Sequence, residues 1–205
     1  MAQITIIGAG NMGGAISGIA TAGGNTVQLL ARDAAKVAEV NPAATAGVVG
    51  DPITGDIVIL ALPYGAVADV LAAYSGQLDG KILVDLTNPV DFATFDALVV
   101  PAGGSAAAEI AKLVPGARVL KAFNTNFAAT LAQGSVGGLP TAVLIAGDDA
   151  DAKAALAGVL ASGGVKAVDA GSLKRAHELE ALGFLQLTLA AAEKTSWSTG
   201  FALAE

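Results

Sequence analysis

The chain has 205 residues, 54% hydrophobic, 14% charged and 4% aromatic, with a net charge of −7. It has no cysteine, which excludes disulfides and thiolate metal sites, and its single histidine argues against a histidine-rich metal centre. Its basic residues are scattered, leaving no stripe for nucleic acid or an anionic membrane surface.

From the amino terminus, Gln3-Ile4-Thr5-Ile6-Ile7 predicts a short buried strand that breaks at Gly8 and opens into a helix. The spacing Gly8-Ala9-Gly10-Asn11-Met12-Gly13 is that of a dinucleotide-binding turn. Gly8 permits the tight turn, Gly10 lets the backbone approach a pyrophosphate, and Gly13 lets the helix pack close to the strand. Amides at the helix start, with the positive end of its dipole, then face the phosphates. In a chain with 26 glycines the competing reading is a turn that binds nothing. The β-branched run before the triplet, and the apolar face Met12, Ile16, Ile19 and Ala20 after it, favour the nucleotide.

No charged residue precedes Arg32, yet this start is expected to be neither a signal peptide nor a membrane span. No basic residue leads its apolar part, and glycines and polar residues interrupt it. The expectation is a soluble, cytoplasmic protein without membrane or nucleic-acid partners.

The second strand, Thr26 to Ala31, ends Leu30-Ala31-Arg32-Asp33. In a dinucleotide fold an acid at this point binds the ribose 2′-hydroxyl of NAD, whereas an arginine accommodates the 2′-phosphate of NADP. Ala31 takes the acid's place and Arg32 follows, so NADP(H) is favoured; Lys36, one helical turn on, adds positive potential. The competing reading leaves Arg32 and Lys36 as solvated surface residues. Asp33 is expected to cap a helix from Ala34 rather than to bind ribose.

Further along, a weaker strand lies near Ala46–Val49 and an apolar one spans Asp56 to Pro63. A helix follows from Gly65 to Tyr74, with Val67, Val70 and Leu71 on its buried stripe, and then a strand over Lys81–Asp85. The Pro- and Gly-rich loop Asn88 to Gly104 has the length of a functional lid. Then come a helix from Ser105 to Leu113, a strand over Arg118–Phe123, a strand over Thr141–Ala146, a helix over Ala150–Ala161 and a strand over Val165–Val168. A long last helix is predicted from Lys174 to near the carboxyl terminus. On it, Leu179, Leu182, Leu185, Gln186 and Leu189 form a nearly continuous apolar band, and Trp197 and Phe201 lie four apart. Alternating strands and helices predict a doubly wound α/β fold with a mostly parallel sheet covered on both faces. The expected division is a nucleotide-binding domain over 1–135 and a small C-terminal α/β extension over 136–205, with a soft boundary.

Four segments carry a resemblance: Ile6 to Gly13, Ala61-Leu62-Pro63-Tyr64, Val84-Asp85-Leu86-Thr87-Asn88-Pro89, and Lys121-Ala122-Phe123-Asn124-Thr125; Asp169-Ala170-Gly171 adds to it. Over essentially its whole length the chain resembles the small NADP oxidoreductases that act on the 8-hydroxy-5-deazaflavin coenzyme F-420. That resemblance implies a Rossmann-like domain with a small extension, commonly paired as homodimers, and hydride exchange between NADP(H) and a deazaflavin bound face to face. Residues Gly8, Ala9, Gly10, Asn11, Met12 and Gly13 would hold the pyrophosphate, and Ala31 and Arg32 would border the 2′-phosphate. Ala61, Leu62 and Pro63 would pass the ribose and nicotinamide. Asn88 and Pro89 with Phe123, Asn124 and Thr125 would border the hydride-transfer cleft. Members of the family can carry hydroxyl side chains near the 2′-phosphate where this chain has Ala9 and Ala31.

Hydride transfer between two cofactors needs placement rather than acid–base chemistry, and no general base is named. His177 reads as a structural or surface histidine, and Lys121 as an edge lysine with its tip in water. Asp85 is expected to bond loop amides, and Trp197 and Phe201 to pack. Asp148, Asp149 and Asp151 are expected to cap a helix rather than bind metal. Two alternatives stand beside the deazaflavin: an NADPH-dependent reductase of a small imine, carbonyl or ferric acceptor, and a non-catalytic NADP(H) sensor.

Overall fold

Two short runs, Ile57–Leu60 and Ile82–Asp85, are buried at every position. Such strands require cover on both faces, and the computed structural model, which describes residues 1–204, supplies it. The elements in chain order are β1 (Gln3–Ile7), α1 (Asn11–Ala22), β2 (Thr26–Ala31), α2 (Ala34–Val40), β3 (Thr45–Val48) and β4 (Ile57–Leu60). A 3-10 turn (Tyr64–Ala66) leads into α3 (Val67–Ala73), followed by β5 (Ile82–Asp85), α4 (Ala106–Leu113), β6 (Arg118–Ala122) and α5 (Ala128–Gln133). The chain continues with β7 (Ser135–Val136), β8 (Leu139–Pro140), β9 (Ala142–Gly147), α6 (Ala150–Ser162), β10 (Lys166–Gly171), a 3-10 turn (Leu173–Arg175) and α7 (Ala176–Ala191).

Eight strands form one sheet in the order β10-β9-β6-β5-β4-β1-β2-β3. From β6 to β3 every pairing is parallel, whereas β9 runs antiparallel to β6 and pairs in parallel with β10. This is the expected mostly parallel, doubly wound α/β fold. Alternate residues serve opposite faces. Ile57 and Ile59 join one core with Ile16, Ile19, Leu156 and Leu160, while Val58 and Leu60 join the other with Leu71, Tyr74 and Ile110. Burying each such side chain contributes about 1.5–3 kcal/mol.

The winding places the site. β1 lies between β2 and β4, and the chain moves outward from it in both directions. Beyond the carboxyl ends of β1 and β4 is therefore a topological switch point, where such sheets form a crevice.

Several boundaries differ from expectation. The strand read over Asp56–Pro63 is only Ile57–Leu60, and the helix read from Gly65 begins as a 3-10 turn. Helix α5 and the β7–β8 hairpin were not foreseen; six- and two-residue elements carry too little periodicity. Gly134, left-handed at φ 68°, closes α5. The last helix stops at Ala191, so Trp197 and Phe201 lie outside it. Of the expected band, Leu179 and Gln186 are buried, Leu182 and Leu189 are half-buried and Leu185 is exposed; Ala176, Glu180, Gly183 and Ala190 complete the buried face. Among the described residues no helix is long and apolar enough to cross a membrane.

Candidate active site

The glycine turn joins β1 to α1. Gly8 takes φ 117°, a conformation open to glycine, and its N–H donates to Leu30 O at 2.8 Å. A Cβ at Gly8 would overlap the Ala61 carbonyl oxygen, and one at Gly13 would overlap the Gly8 carbonyl oxygen. These two glycines are therefore set by packing within the turn. Gly10 differs: it is exposed, and a Cβ there would meet nothing within 4 Å. It is the N-cap of α1, with no side-chain cap and no acid in the first turn. The first amides of a helix have no partner within it, and with the positive end of its dipole they make a field suited to anions.

A cleft of about 1360 Å³ opens over this turn. Ala9, Gly10, Asn11 and Met12 line it, as do Lys36, Leu62, Pro63, Asn88, Phe123 and Asn124. Gly8, Gly13, Ala31, Ala61, Pro89 and Thr125 are not among the residues that line it. Arg32 also falls outside the lining; it is exposed immediately after β2, while Lys36 reaches the cleft from the first turn of α2. Asp33 caps α2 by accepting from the Ala35 N–H at 2.9 Å, as expected.

The far end of the cleft is held by side-chain amides. Asn88 Nδ2 donates to Asn124 O at 3.0 Å, and Asn124 Nδ2 donates to Asn88 Oδ1 at 3.0 Å and to Leu179 O at 2.7 Å. Phe123, between β6 and Asn124, is buried and takes φ 67°. A non-glycine residue in that region carries backbone strain, which persists only where the surroundings impose it.

Beneath these residues lies an ion cluster. Lys121 is fully buried, not an edge lysine with a wet tip. Its Nζ is 2.8 Å from Asp85 Oδ2 and 2.8 Å from Glu180 Oε1, and it donates to Thr87 O at 2.5 Å. Period-two alternation could not reveal this, because both partners are distant in sequence. Asp85 Oδ1 accepts from the Thr87 N–H, as expected of a loop-bonding carboxylate. Glu180 also accepts from the Ala106 and Ala107 amides at the start of α4. Burial pushes the Glu180 carboxyl above its ordinary range, and the Lys121 charge opposes this only in part.

Sequence reasoning also missed Tyr64, which lines the cleft. Burial, and then the carboxylates of Glu109, Glu180 and Asp85, raise its hydroxyl above the ordinary value, so it remains a neutral donor. Phe92, in the loop before α4, and Trp197 line the cleft as well; the Trp197 ring packs 5.2 Å from that of Phe127. His177 Nδ1 lies 2.9 Å from Gly104 O, which ties the end of that loop to α7. Asp149 caps α6, and Asp148 accepts from the Leu173 N–H. No group of metal-ligating side chains exists among the described residues.

Residues 3–89 match the family described as NADP oxidoreductase coenzyme F420-dependent. The F420-dependent NADP reductase of Methanocaldococcus jannaschii is 29% identical over 132 residues, covering 62% of this chain and 59% of that protein. The match thus spans about three-fifths of the curated relative. A protein from Arthrobacter sp. FB24, provisionally described as an F420-dependent NADP reductase, superposes with a TM-score of 0.85 at 26% identity, covering 100% of both chains. A hypothetical protein from Sinorhizobium meliloti is 34% identical with a TM-score of 0.76, covering 84% of this chain and 86% of that one.

Proposed function

We propose that the chain is a member of the coenzyme F420-dependent NADP oxidoreductases, whose family model it matches over residues 3–89, and that it transfers a hydride between NADP(H) and a deazaflavin or flavin-like partner. The observation that carries this reading is the glycine turn at the switch point. Gly10 leaves open the space a pyrophosphate needs, and the α1 amides beside it have no acidic neighbour in the first turn.

In this reading the Gly8–Gly13 turn holds the pyrophosphate, and Arg32 with Lys36 faces the 2′-phosphate. Ala31, Ala61, Leu62 and Pro63 border the sugars, with Asn88 and Pro89 at the nicotinamide. Phe123, Asn124 and Thr125 border the partner ring. The bound nicotinamide supplies the hydride-carrying carbon. The chain supplies placement: reacting atoms held at about 3–3.5 Å, and water excluded by apolar walls. Tyr64, kept protonated, can donate a hydrogen bond to a ligand in the cleft. No side chain is assigned as general base.

The same proposal includes a cytoplasmic setting, division of labour near residue 135, and pairing as a homodimer. The exposed apolar residues Leu185, Trp197, Phe201 and Leu203 support the pairing. Sedimentation showing only monomer at micromolar concentration would refute it.

Anaerobic titration tests the function. NADPH oxidation should proceed on addition of deazaflavin, and more slowly or not at all with flavin or ferric acceptors. Tight NADPH binding with no oxidation by any acceptor would overturn the enzymatic reading in favour of a sensor.

A further inference from the structure

We infer that Lys121 is a positioning residue for the nicotinamide end of the cleft, acting through Thr87 and Glu180; this rests on the NADP(H) reading above. The ammonium has three protons and three acceptors: Asp85 Oδ2, Glu180 Oε1 and Thr87 O. Thr87 is thereby gripped at both ends of its backbone, since its N–H is held by Asp85 Oδ1. Its neighbours Leu86 and Asn88 line the cleft. Glu180 carries the same grip into α7 and, through the Ala106 and Ala107 amides, into α4. One turn beyond Glu180, Gly183 lies against the Asn88 and Asn124 side chains, and Leu179 O takes the Asn124 amide. A single buried cation thus fixes β5's exit loop, β6 and α7 relative to one another, at the point where Asn88 and Asn124 meet.

The alternative is that the cluster serves stability alone. Replacing a buried ion pair with apolar side chains is often neutral or stabilising, so stability is a weak reason for this arrangement. Geometry is a stronger one, because all the acceptors of Lys121 belong to segments that carry or abut cleft residues. The glycine turn, in contrast, makes no contact with the cluster in the hydrogen bonds that define either feature.

The two roles separate in binding. The full chain is titrated with NADPH and with 2′-phospho-ADP-ribose, the same nucleotide lacking nicotinamide, for wild type, Lys121→Met and Glu180→Gln. Thermal unfolding is recorded for each. In both variants NADPH affinity should fall about tenfold or more, while affinity for the fragment stays within about twofold. If Lys121→Met does not fold, Glu180→Gln decides alone, because it retains the Lys121–Asp85 pair. Equal losses for both ligands, or no loss for either, would overturn the inference. A wild-type chain that binds neither ligand would overturn the NADP(H) reading itself, and the inference with it.

Discussion

Gly183 of α7 lies directly against the Asn88 side chain: a methyl group on Gly183 would overlap Asn88 Oδ1 and crowd Asn124 Nδ2. A glycine in mid-helix normally costs about 1 kcal/mol relative to alanine. Here it allows α7 to approach the amide pair at the end of the cleft. Two effects therefore compete in Gly183→Ala. Helix propensity gains about 1 kcal/mol, and overpacking loses about 1–3 kcal/mol. The overlap should win, lowering the melting temperature. A displacement of about 1 Å at Asn88 and Asn124 should slow single-turnover NADPH oxidation by about 100-fold. A higher melting temperature with an unchanged rate would show that the contact relaxes freely.

The glycines of the first turn should divide in the opposite sense. Gly13→Ala inserts a methyl group into the Gly8 carbonyl and should destabilise the fold by about 1–3 kcal/mol. Gly10→Val places its Cβ where no protein atom lies within 4 Å, at φ −84° and ψ −169°, which valine tolerates. It should unfold within a few degrees of wild type yet fail to bind NADPH. Paired melting curves and nucleotide titrations give both answers. Retained binding in Gly10→Val would place the pyrophosphate elsewhere.

That contrast shows what the sequence could carry. The β1 turn was legible because its geometry is local: strand, glycines and helix are contiguous, and their spacing encodes the bend. The same holds for the Asp33 and Asp149 caps, each read from residues two or three apart. The floor of the cleft was not legible. Lys121, Asp85 and Glu180 meet across intervals of 36 and 59 residues, and an alternating strand pattern treats a lysine as solvent-facing. The role of Tyr64 was not legible either, because its place depends on the 3-10 turn after Pro63. The early end of α7 was missed for a related reason. Its leucines suggested a long apolar band, of which packing buries Leu179 and Gln186 and adds Glu180 and Gly183, which an apolar pattern does not pick out.

Glu180 should give the protein a pH signature. Its carboxyl titrates above the ordinary range in the folded chain, chiefly through burial, and at the ordinary value when unfolded. Between those values the folded state holds a proton that the unfolded state lacks. This contribution is therefore fully present below the unfolded pKa and is lost as pH rises through the raised folded value. Asp91 and Asp169 are shifted downward by hydrogen bonds and act in the opposite sense, but they remain in any Glu180 variant. The melting-temperature difference, wild type minus Glu180→Gln, should consequently fall as pH rises from the acid side towards neutrality. A difference that is constant or rises with pH would mean that Lys121 holds the carboxylate ionised throughout.

Cofactor choice turns on the residues after β2. Arg32→Ala removes a charge-assisted contact of about 1.5–3 kcal/mol, so NADPH affinity should fall by about 10- to 100-fold. NADH carries no 2′-phosphate and should bind nearly as before. Asp33 will not convert the variant into an NAD enzyme, because its carboxylate is engaged with the Ala35 amide as the α2 cap. Lys36 lines the cleft and retains part of the positive field, so Arg32→Ala/Lys36→Ala should weaken NADPH further and leave NADH unmoved. Fluorescence titration with both nucleotides measures the ratio directly. Equal losses for NADPH and NADH in Arg32→Ala would assign the arginine to the surface, and leave Lys36 alone facing the phosphate.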